Sequence, residues 1–272
     1  MASSIKPDER DEVHPKIEVV SIGAQDKQRP WRNSGHYGRN RHALIWTTRG
    51  QGRIVIAGSR KGVGAHNAIF IPAGTMFSLD MGQMFGSILW LSPDLDLQTP
   101  DKVLHLRMRE VQKSGELTSL LDAIQQELNS EKLENTRAAL AYANLCLVWL
   151  DRHHQDSANT RIPASEKLLG KYCALIEEKY ETGIKTQEYA KELRVTLTHL
   201  SRVCKRQCGT TAADLLADRI MIEAREKLMK EDASIRSISV KMNFSTPGNF
   251  TRFFLRHSGE SPQSFRSRIN SS

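Results

Sequence analysis

Residues 186–209, TQEYAKELRVTLTHLSRVCKRQCG, decide the fold of the C-terminal part of the chain. Apolar residues at helical spacing form the inner faces of two short helices: Tyr189, Ala190 and Leu193, then Leu200, Val203 and Cys204. Thr186 and Thr196 are predicted to cap these helices, and Gly209 to end the second. The outer face of the second helix is polar and basic. Together with a tight turn at Arg194, this pattern predicts a helix-turn-helix unit.

The same arrangement returns in residues 234–259, SIRSISVKMNFSTPGNFTRFFLRHSG. Ser234 is predicted to cap the first helix, and Asn243 occupies a turn that needs a left-handed backbone. Thr246 followed by Pro247 is a typical helix start. The residues predicted to pack inward are Phe250, Phe253 and Phe254, and Gly259 ends the run. The sequence therefore predicts two helix-turn-helix units in tandem.

A helix without a breaker is predicted between the two units, over residues 211–228. A rigid spacer of this kind suits insertion of the two units into successive major grooves, which lie about 34 Å apart. The net charge of the chain is +8, and residues 161–272 hold 20 Lys and Arg against 13 Asp and Glu. This concentration of positive charge favours a polyanionic partner.

Residues 168–268 resemble the DNA-binding domain of the AraC/XylS family of bacterial transcription regulators. The first unit matches the family pattern at Thr196, Leu200, Arg202, Cys204, Lys205 and Gly209. The connecting helix matches at Arg219, Ala224 and Leu228. The second unit matches at Ile238, Phe244, Phe250, Arg252, Phe254, Gly259, Ser261, Pro262, Phe265 and Arg266. The resemblance implies a tandem helix-turn-helix domain that binds DNA.

The chain departs from the family pattern at four positions. Asn243 stands where the family usually has Gly, and Ser239 where it has Ala. Cys204 stands where it has Phe, and Leu255 where it has Lys. Asn tolerates the left-handed turn, Cys is a smaller core residue, and Leu removes one phosphate contact. We therefore expect the fold to be retained, with weaker anchoring to the DNA backbone.

The resemblance also implies which outward side chains contact DNA. The base-reading residues are expected to be Thr198, Ser201, Arg202, Gly248, Asn249 and Arg252. The phosphate-binding residues are expected to be Lys205, Arg206, Thr251 and Arg256. Arg suits guanine, Asn suits adenine, and Thr can contact the thymine methyl group. The alternative for Arg202 and Arg252 is an ion pair within the domain or a solvated helix face.

The N-terminal part alternates short β-branched or aromatic runs with glycine and proline. The runs cover residues 42–48, 53–57, 68–71 and 87–91, and they predict a small sandwich or barrel. Residues before about 30 are expected to form a loose arm. Residues 36–92 resemble, through less specific motifs, the cupin-like barrel that many AraC-type regulators carry. The expected fold class is α+β, with a cupin-like barrel, a helical pair and an all-α tandem helix-turn-helix domain.

These patterns predict four segments along the chain. They are a cupin-like sensor domain with its N-terminal arm at 1–110, a helical pair at 111–152, a linker at 153–166 and the DNA-binding domain at 167–270. The apolar residues of the helical pair can pack against each other or form the seam of a homodimer, and both interpretations stay open.

A pocket for a small anion or an aromatic acid is conceivable in the N-terminal part. Its candidate residues are Arg39, Arg41, His42, Trp46, Arg53 and Trp90. The alternative is that the tryptophans belong to the core and the arginines to the surface. The histidines here lack the clustered spacing of a metal-dependent cupin enzyme, so no metal, cofactor or catalytic residue is expected. The four cysteines are too few for a disulfide scaffold, and Cys204 is expected in the core.

The expected function is that of a sequence-specific, DNA-binding transcription regulator. By resemblance, it would be an activator that recruits RNA polymerase and responds to a small molecule. Two alternatives are a cupin-type enzyme with a DNA-binding appendage and an architectural protein that coats DNA without sequence preference. Neither a secretory signal nor an uninterrupted apolar run of membrane-spanning length occurs, so a cytoplasmic protein without a membrane partner is expected.

Overall fold

The computed structural model describes residues 15–22, 35–80, 83–108, 111–154, 162–230 and 232–270. Within these ranges, β-strands occupy the N-terminal part and α-helices the C-terminal part. The α+β class predicted from the sequence is therefore confirmed. The predicted linker falls largely on residues 155–161, which lie outside the described residues.

A five-stranded antiparallel sheet forms the centre of the N-terminal part. Its strands, in spatial order, are β1 (Ile17–Ser21), β8 (Phe85–Leu91), β3 (His42–Arg49), β6 (Asn67–Ile71) and β9 (Leu104–Arg107). Every residue of β6 is buried, as expected for a strand that is covered on both faces. The expectation of a loose N-terminal arm is wrong for β1, because Ile17 is buried and this strand pairs with β8 along its whole length.

A four-stranded antiparallel sheet covers one face of the central sheet. Its order is β2 (Tyr37–Gly38), β7 (Met76–Asp80), β4 (Gly52–Ile56) and β5 (Ser59–Val63). The space between the sheets is filled by apolar side chains, among them Ile45, Ile54, Ile69 and Phe77. Within the described residues the two sheets share no paired strand. The predicted barrel is therefore an open sandwich rather than a closed barrel.

The helical pair packs on the other face of the central sheet. It consists of α1 (Val111–Leu128) and α2 (Asn135–His154). Leu117, Leu121 and Ile124 are buried in one cluster with Leu44 and Trp46 of the sheet. This face of the pair is therefore part of the protein core, whereas the opposite face of α2 is exposed to solvent.

The remaining described residues form the two helix-turn-helix units and their surroundings. The helices are α3 (Ala164–Lys179), a 3₁₀ turn (Tyr180–Thr182), α4 (Thr186–Glu192), α5 (Leu197–Cys208), α6 (Ala212–Lys230), α7 (Ile235–Lys241), α8 (Pro247–Ser258) and α9 (Pro262–Asn270). The caps predicted at Thr196, Ser234 and Thr246 are confirmed, because each side-chain oxygen accepts a backbone N–H bond of the following helix. The cap predicted at Thr186 is wrong, since α4 begins at that residue and Lys185 occupies the N-cap position.

Helix α6 belongs to two hydrophobic cores. Its first half contributes Ala212 and Leu215 to the core of the first unit, which also contains Leu200 of α5. Its second half contributes Ala224 and Leu228 to the core of the second unit. At 1.5 Å per residue the helix is about 28 Å long, so it sets the separation of the units. This arrangement confirms the predicted rigid connecting helix.

The turns of the two units repeat each other in backbone geometry. Arg194 and Asn243 both have left-handed backbones, with φ of 58° and 56°. In each turn the next residue donates its N–H to a carbonyl five positions earlier, from Val195 to Ala190 and from Phe244 to Ser239, each at 3.0 Å. This is a Schellman-type helix end, for which glycine is the favoured residue. Asn243 therefore tolerates the conformation predicted for it, while Arg194 adopts it at a cost.

We expect Arg194→Gly to raise the free energy of unfolding by about 0.5–1 kcal/mol. A left-handed L-residue costs about 1–2 kcal/mol, which exceeds the entropy that glycine loses on folding. Urea denaturation of the full chain measures the change. Arg194→Val should be destabilising instead, because a β-branched residue adopts this conformation least readily. A stabilising Val variant or a destabilising Gly variant would contradict the role assigned to this turn.

Candidate nucleic-acid interface

The outer face of α5 presents the side chains that the sequence assigned to the first recognition helix. Thr198, Arg202, Lys205 and Arg206 are exposed, and Ser201 is half-buried. Four of these five residues, Ser201, Arg202, Lys205 and Arg206, line an open groove of about 430 Å³ together with Thr211 at the start of α6. Three cations on one wall of the groove make it complementary in charge to the anionic phosphate backbone of DNA.

The outer face of α8 is built in the same way for the second unit. Gly248, Arg252 and Arg256 are exposed, while Asn249 and Thr251 are half-buried. Thr246 caps the helix, with the N–H of Asn249 donating to its Oγ1 at 3.1 Å. The structure therefore brings the predicted base-reading and phosphate-binding residues of each unit onto one exposed helix face.

Short side-chain contacts orient both candidate base-reading arginines. Arg252 Nη2 donates to Asn249 Oδ1 at 2.6 Å, and Asn249 Nδ2 donates to Ser245 Oγ at 2.5 Å. On the first unit, Arg202 Nη2 lies 3.2 Å from His199 Nδ1. Among the described residues no carboxylate forms an ion pair with either arginine, so the ion-pair alternative finds no support there.

Sequence reasoning missed His199 and Ser245 as neighbours of the recognition surface. His199 lies one turn before Arg202 on the same helix, and Ser245 lies directly before the cap of α8. The spacing i, i+3 on a helix was the available signal for His199. Ser245 lies outside the helix, and its contact with Asn249 depends on the geometry of the cap.

A buried ionic cluster holds α3, the 3₁₀ turn and α6 together beneath the recognition helices. Arg219 Nε donates to Glu177 Oε2 at 2.8 Å, and the Arg219 guanidinium lies 3.6 Å from the centre of the Tyr180 ring. Glu223 accepts from Lys227 at 2.9 Å. Burial opposes ionisation of Glu223, but Arg219 and Lys227 outweigh it and keep the pKa of Glu223 below its ordinary value. Arg219, which matched the family pattern, therefore has a structural role.

The outer face of the four-stranded sheet packs directly on the first unit. Val55 and Met76 of this sheet belong to the same hydrophobic cluster as the core of that unit. The N–H of Gly38 donates to Glu177 Oε1 at 2.6 Å, where a Cβ on Gly38 would come within 3.0 Å of the Glu177 carboxyl carbon. The hydrophobic cluster of the second unit includes no residue of either sheet. The β-rich part therefore contacts the two units unequally.

Three of the six candidate effector residues lie in one stack. Arg39 lies 4.0 Å from the ring centre of Phe77, Phe77 stacks on Trp90, and Arg41 lies 5.6 Å from the Trp90 ring. Arg41 also forms an ion pair with Glu18 at 2.8 Å. This stack, Arg39–Phe77–Trp90–Arg41, lies on the side of the central sheet that faces the second sheet.

The other three candidate effector residues lie apart from that stack. Trp46 is 1% exposed, faces the helical pair and donates Nε1 to Thr118 Oγ1 at 2.9 Å. His42 accepts the N–H of Ala73 and stacks on Phe70. Arg53 is exposed, whereas the side chain of the next residue on the strand, Ile54, points the opposite way and is buried.

All four cysteines are free and buried, which confirms the core position expected for Cys204. Burial raises the pKa of the Cys204 thiol to about 12. In the part of the chain that the structure describes, no group of three or more His, Cys, Asp or Glu side chains could hold a metal ion. No helix in the same part is long and apolar enough to cross a membrane.

Comparison with known proteins identifies the C-terminal part. A family model described as a helix-turn-helix domain matches residues 189–268. "Probable transcription factor PqrA" of Proteus vulgaris is 33% identical over 84 residues, which are 31% of this chain and 69% of that protein. The chain belongs to the AraC/XylS family of transcription regulators. The predicted resemblance is thereby confirmed.

Two further relatives match this AraC/XylS-family regulator over a smaller share of their length. The raffinose operon transcriptional regulatory protein RafR of Pediococcus pentosaceus is 24% identical over 42% of this chain and 41% of its own. The HTH-type transcriptional activator RhaS of Escherichia coli is 26% identical over 50% of this chain and 38% of its own. The regulator thus spans about two fifths of the length of these two relatives.

Solved structures that the comparison matches to this chain include ToxT of Vibrio cholerae with a bound unsaturated fatty acid. That chain is 10% identical to the AraC/XylS-family regulator, with a TM-score of 0.40, over 92% of the regulator and 94% of ToxT. An AraC-type DNA-binding domain from Chromobacterium violaceum is 24% identical, with a TM-score of 0.35, over 39% of the regulator and 94% of that chain.

Proposed function

We propose that this regulator reads a specific DNA sequence by inserting α5 and α8 into successive major grooves of one duplex. The observation that carries the proposal is the position of two exposed recognition faces on a single connecting helix. Helix α6 belongs to both cores, so the two faces cannot move independently without disrupting packing. Selection of random DNA by the full chain, followed by footprinting, should yield two protected segments about 34 Å apart.

Thr198, Ser201 and Arg202 are proposed to read bases in the first groove, and Gly248, Asn249 and Arg252 in the second. Lys205, Arg206, Thr251 and Arg256 are proposed to bind phosphates. Asn249 and Arg252 support this division, because their mutual hydrogen bond orients two side chains that suit adenine and guanine. Phosphate contacts position the protein and base contacts specify the sequence.

By family resemblance, we propose that the regulator acts in the cytoplasm as an activator that recruits RNA polymerase. A regulatory role is preferred over catalysis because the candidate residues converge on a DNA-facing surface rather than on a pocket of titratable groups. An architectural role is disfavoured, since coating DNA needs phosphate contacts alone and would not require the oriented Asn249 and Arg252 pair.

Arg252→Ala should weaken binding to the selected site by about 1–3 kcal/mol and relax the preference at one base pair. Arg256→Ala, on the same helix, should weaken binding equally on every DNA sequence, because phosphates carry no sequence information. Competition binding with the selected site and with single-base variants measures both effects. Equal loss on all sequences for Arg252→Ala would contradict its base-reading role.

We also propose that the regulator forms a homodimer through the outer stripe of α2. This stripe consists of Ala138, Ala141, Leu145 and Val148, which follow the alternating spacing of three and four residues of a coiled-coil seam. Leu145 is 48% exposed, Ala141 is exposed, and the other two residues are half-buried. The helices would pair in antiparallel orientation, with Ala141 facing Leu145 of a second copy.

Charge complementarity supports the antiparallel orientation of this seam. The same register places Arg137 next to Asp151 of a second copy. Both side chains are exposed on the flank of the stripe. The pair would occur twice because of the two-fold symmetry. A parallel pairing would instead set Arg152 against its own copy.

Leu145→Glu should convert the dimer to a folded monomer in sedimentation velocity, because two carboxylates would enter an apolar seam. Gln126→Glu, the same added charge on the exposed face of α1, should leave the mass unchanged. Arg137→Asp and Asp151→Arg should each weaken the dimer, and the double variant should restore it. A wild-type monomer, or single variants as tight as wild type, would rule the seam out.

A small carboxylate is proposed as the effector, bound at the stack of Arg39, Phe77, Trp90 and Arg41. Two guanidinium groups flank the aromatic rings, which suits an anion with an aromatic or apolar body that replaces Glu18 as the partner of Arg41. The stack adjoins Gly38, whose N–H contacts Glu177 of the DNA-binding part. This proposal keeps Arg39, Arg41 and Trp90 as candidates and leaves His42, Trp46 and Arg53 in other roles.

A panel of aromatic carboxylates should contain compounds that raise the thermal midpoint of the regulator, while their neutral amides do not. Arg39→Gln and Arg41→Gln should each abolish the increase, because an anion loses its counter-charge. Arg53→Gln, which removes an exposed arginine outside the stack, should retain it. An increase that is equal for acids and amides would exclude an anion site at the stack.

A further inference from the structure

Arg60 lies on strand β5 of the four-stranded sheet but reaches the end of the first recognition helix. Its Nη2 donates to the carbonyl oxygen of Cys208, the last residue of α5, at 2.9 Å. The helix ends at Gly209, with φ of 84°, and a Cβ there would lie 2.7 Å from Arg60 Nη2. The contact therefore depends on glycine at this position, and it joins two parts of the chain that are 148 residues apart.

The guanidinium of Arg60 contacts a neutral carbonyl rather than a carboxylate. Among the described residues no carboxylate forms an ion pair with it. Two carboxylates of the surrounding elements have other contacts: Glu166 pairs with Lys61 at 3.3 Å, and Asp218 Oδ2 lies 3.3 Å from His36 Nδ1. Arg60 is exposed, and its bond to Cys208 uses one of its five N–H donors.

An arginine held in this way is preorganised to bind an anion. One N–H bond anchors the guanidinium to rigid backbone, and the planar group keeps its remaining donors in a fixed fork. Less conformational entropy is then lost when an oxyanion binds than with a free side chain. The neighbouring cations Lys205 and Arg206 on α5 add to the positive potential at this end of the helix.

The length of α5 indicates which anion would meet Arg60. The helix has 12 residues and is about 18 Å long, whereas the major groove is about 12 Å wide. If the helix crosses the groove with its N-terminal residues on the bases, its C-terminal end therefore lies at the rim of the groove. The rim of the groove is formed by the phosphate backbone.

We propose that Arg60 of the β-rich domain binds a DNA phosphate at the rim of the first major groove. This domain would then form part of the DNA-binding surface, next to Lys205 and Arg206. The inference rests on the proposed insertion of α5 into a major groove, and it adds a contact from outside the helix-turn-helix units. The second unit has no equivalent contact in its core or at the end of α8 within the described residues.

The salt dependence of DNA binding by the full chain tests this contact. Each neutralised phosphate contributes about −0.9 to the slope of log K against log salt. Arg60→Ala should reduce the magnitude of that slope by about 0.9, so its affinity defect should shrink about threefold between 50 and 200 mM salt. Arg53→Ala removes an exposed arginine from the adjacent strand of the same sheet, and it should leave the slope unchanged.

A second measurement locates the phosphate on the DNA. Methylphosphonate groups, which are neutral, are placed at one backbone position at a time in the selected site. A methylphosphonate at one position should weaken binding by the wild type but not by Arg60→Ala. Arg60→Lys should respond at the same position, with a smaller loss of affinity than the wild type. The thermal midpoint without DNA shows whether each variant retains its fold.

The outcomes separate this inference from the broader proposal. If the wild type binds its site but Arg60→Ala loses affinity with an unchanged slope, Arg60 merely anchors the helix and the inference is overturned. It is also overturned if Arg53→Ala changes the slope equally, or if no single methylphosphonate distinguishes the wild type from Arg60→Ala. Absence of sequence-specific binding by the wild type would instead contradict the insertion of α5 and α8.

Discussion

The ion pair between Arg219 and Glu177 is the interaction on which the arrangement of this protein depends. Glu177 accepts Nε–H of Arg219 with one oxygen and the N–H of Gly38 with the other. Three parts therefore meet at one carboxylate: α3, the connecting helix α6 and the four-stranded sheet. Removing one member of such a buried pair leaves an uncompensated charge, which costs about 3–5 kcal/mol. The position of the sheet on the first unit follows from this site.

The layered order of the molecule explains why its two helix-turn-helix units are not equivalent. The helical pair, the central sheet, the second sheet and the first unit pack on one another in that order. The second unit is attached to this stack through α6 and has its own aromatic core around Phe250 and Phe254. A change at the sheet surface therefore reaches the first unit directly and the second unit only along α6. A ligand at the proposed stack would therefore act first on the first unit.

Local sequence signals predicted the helix-turn-helix units in detail. Thr196, Ser234 and Thr246 cap their helices as expected, and Asn243 adopts the left-handed turn. These features depend on residues within one or two turns of helix, so short-range patterns suffice to find them. The predicted cap at Thr186 was wrong by one residue. Lys185 occupies the N-cap position, with an extended backbone and no side-chain hydrogen bond to the helix.

The strands were harder to predict than the helices, because other parts of the chain cover both of their faces. The sequence patterns did not predict strands β1, β2, β5, β7 and β9. The sequence of β5, SRKGV, resembles that of a solvated turn. Its charged residues are accommodated because Arg60 reaches the carbonyl of Cys208 and Lys61 pairs with Glu166. Such a strand shows no clean alternation, since its outer face contacts another domain rather than water. Trp46 and Trp90 lie on opposite faces of the central sheet. The sequence did not predict this separation, because both faces of the sheet are covered.

By itself, the sequence determined the family, the two recognition helices and the residues on their outer faces. Helix periodicity, caps and turns are local properties, because each depends on a stretch of no more than about 25 residues. Only the tertiary structure decided that the second sheet covers the first unit, because the contacts responsible join residues 139 and 148 positions apart. No local pattern specifies such pairs, since they form only when separate hydrophobic faces bury one another.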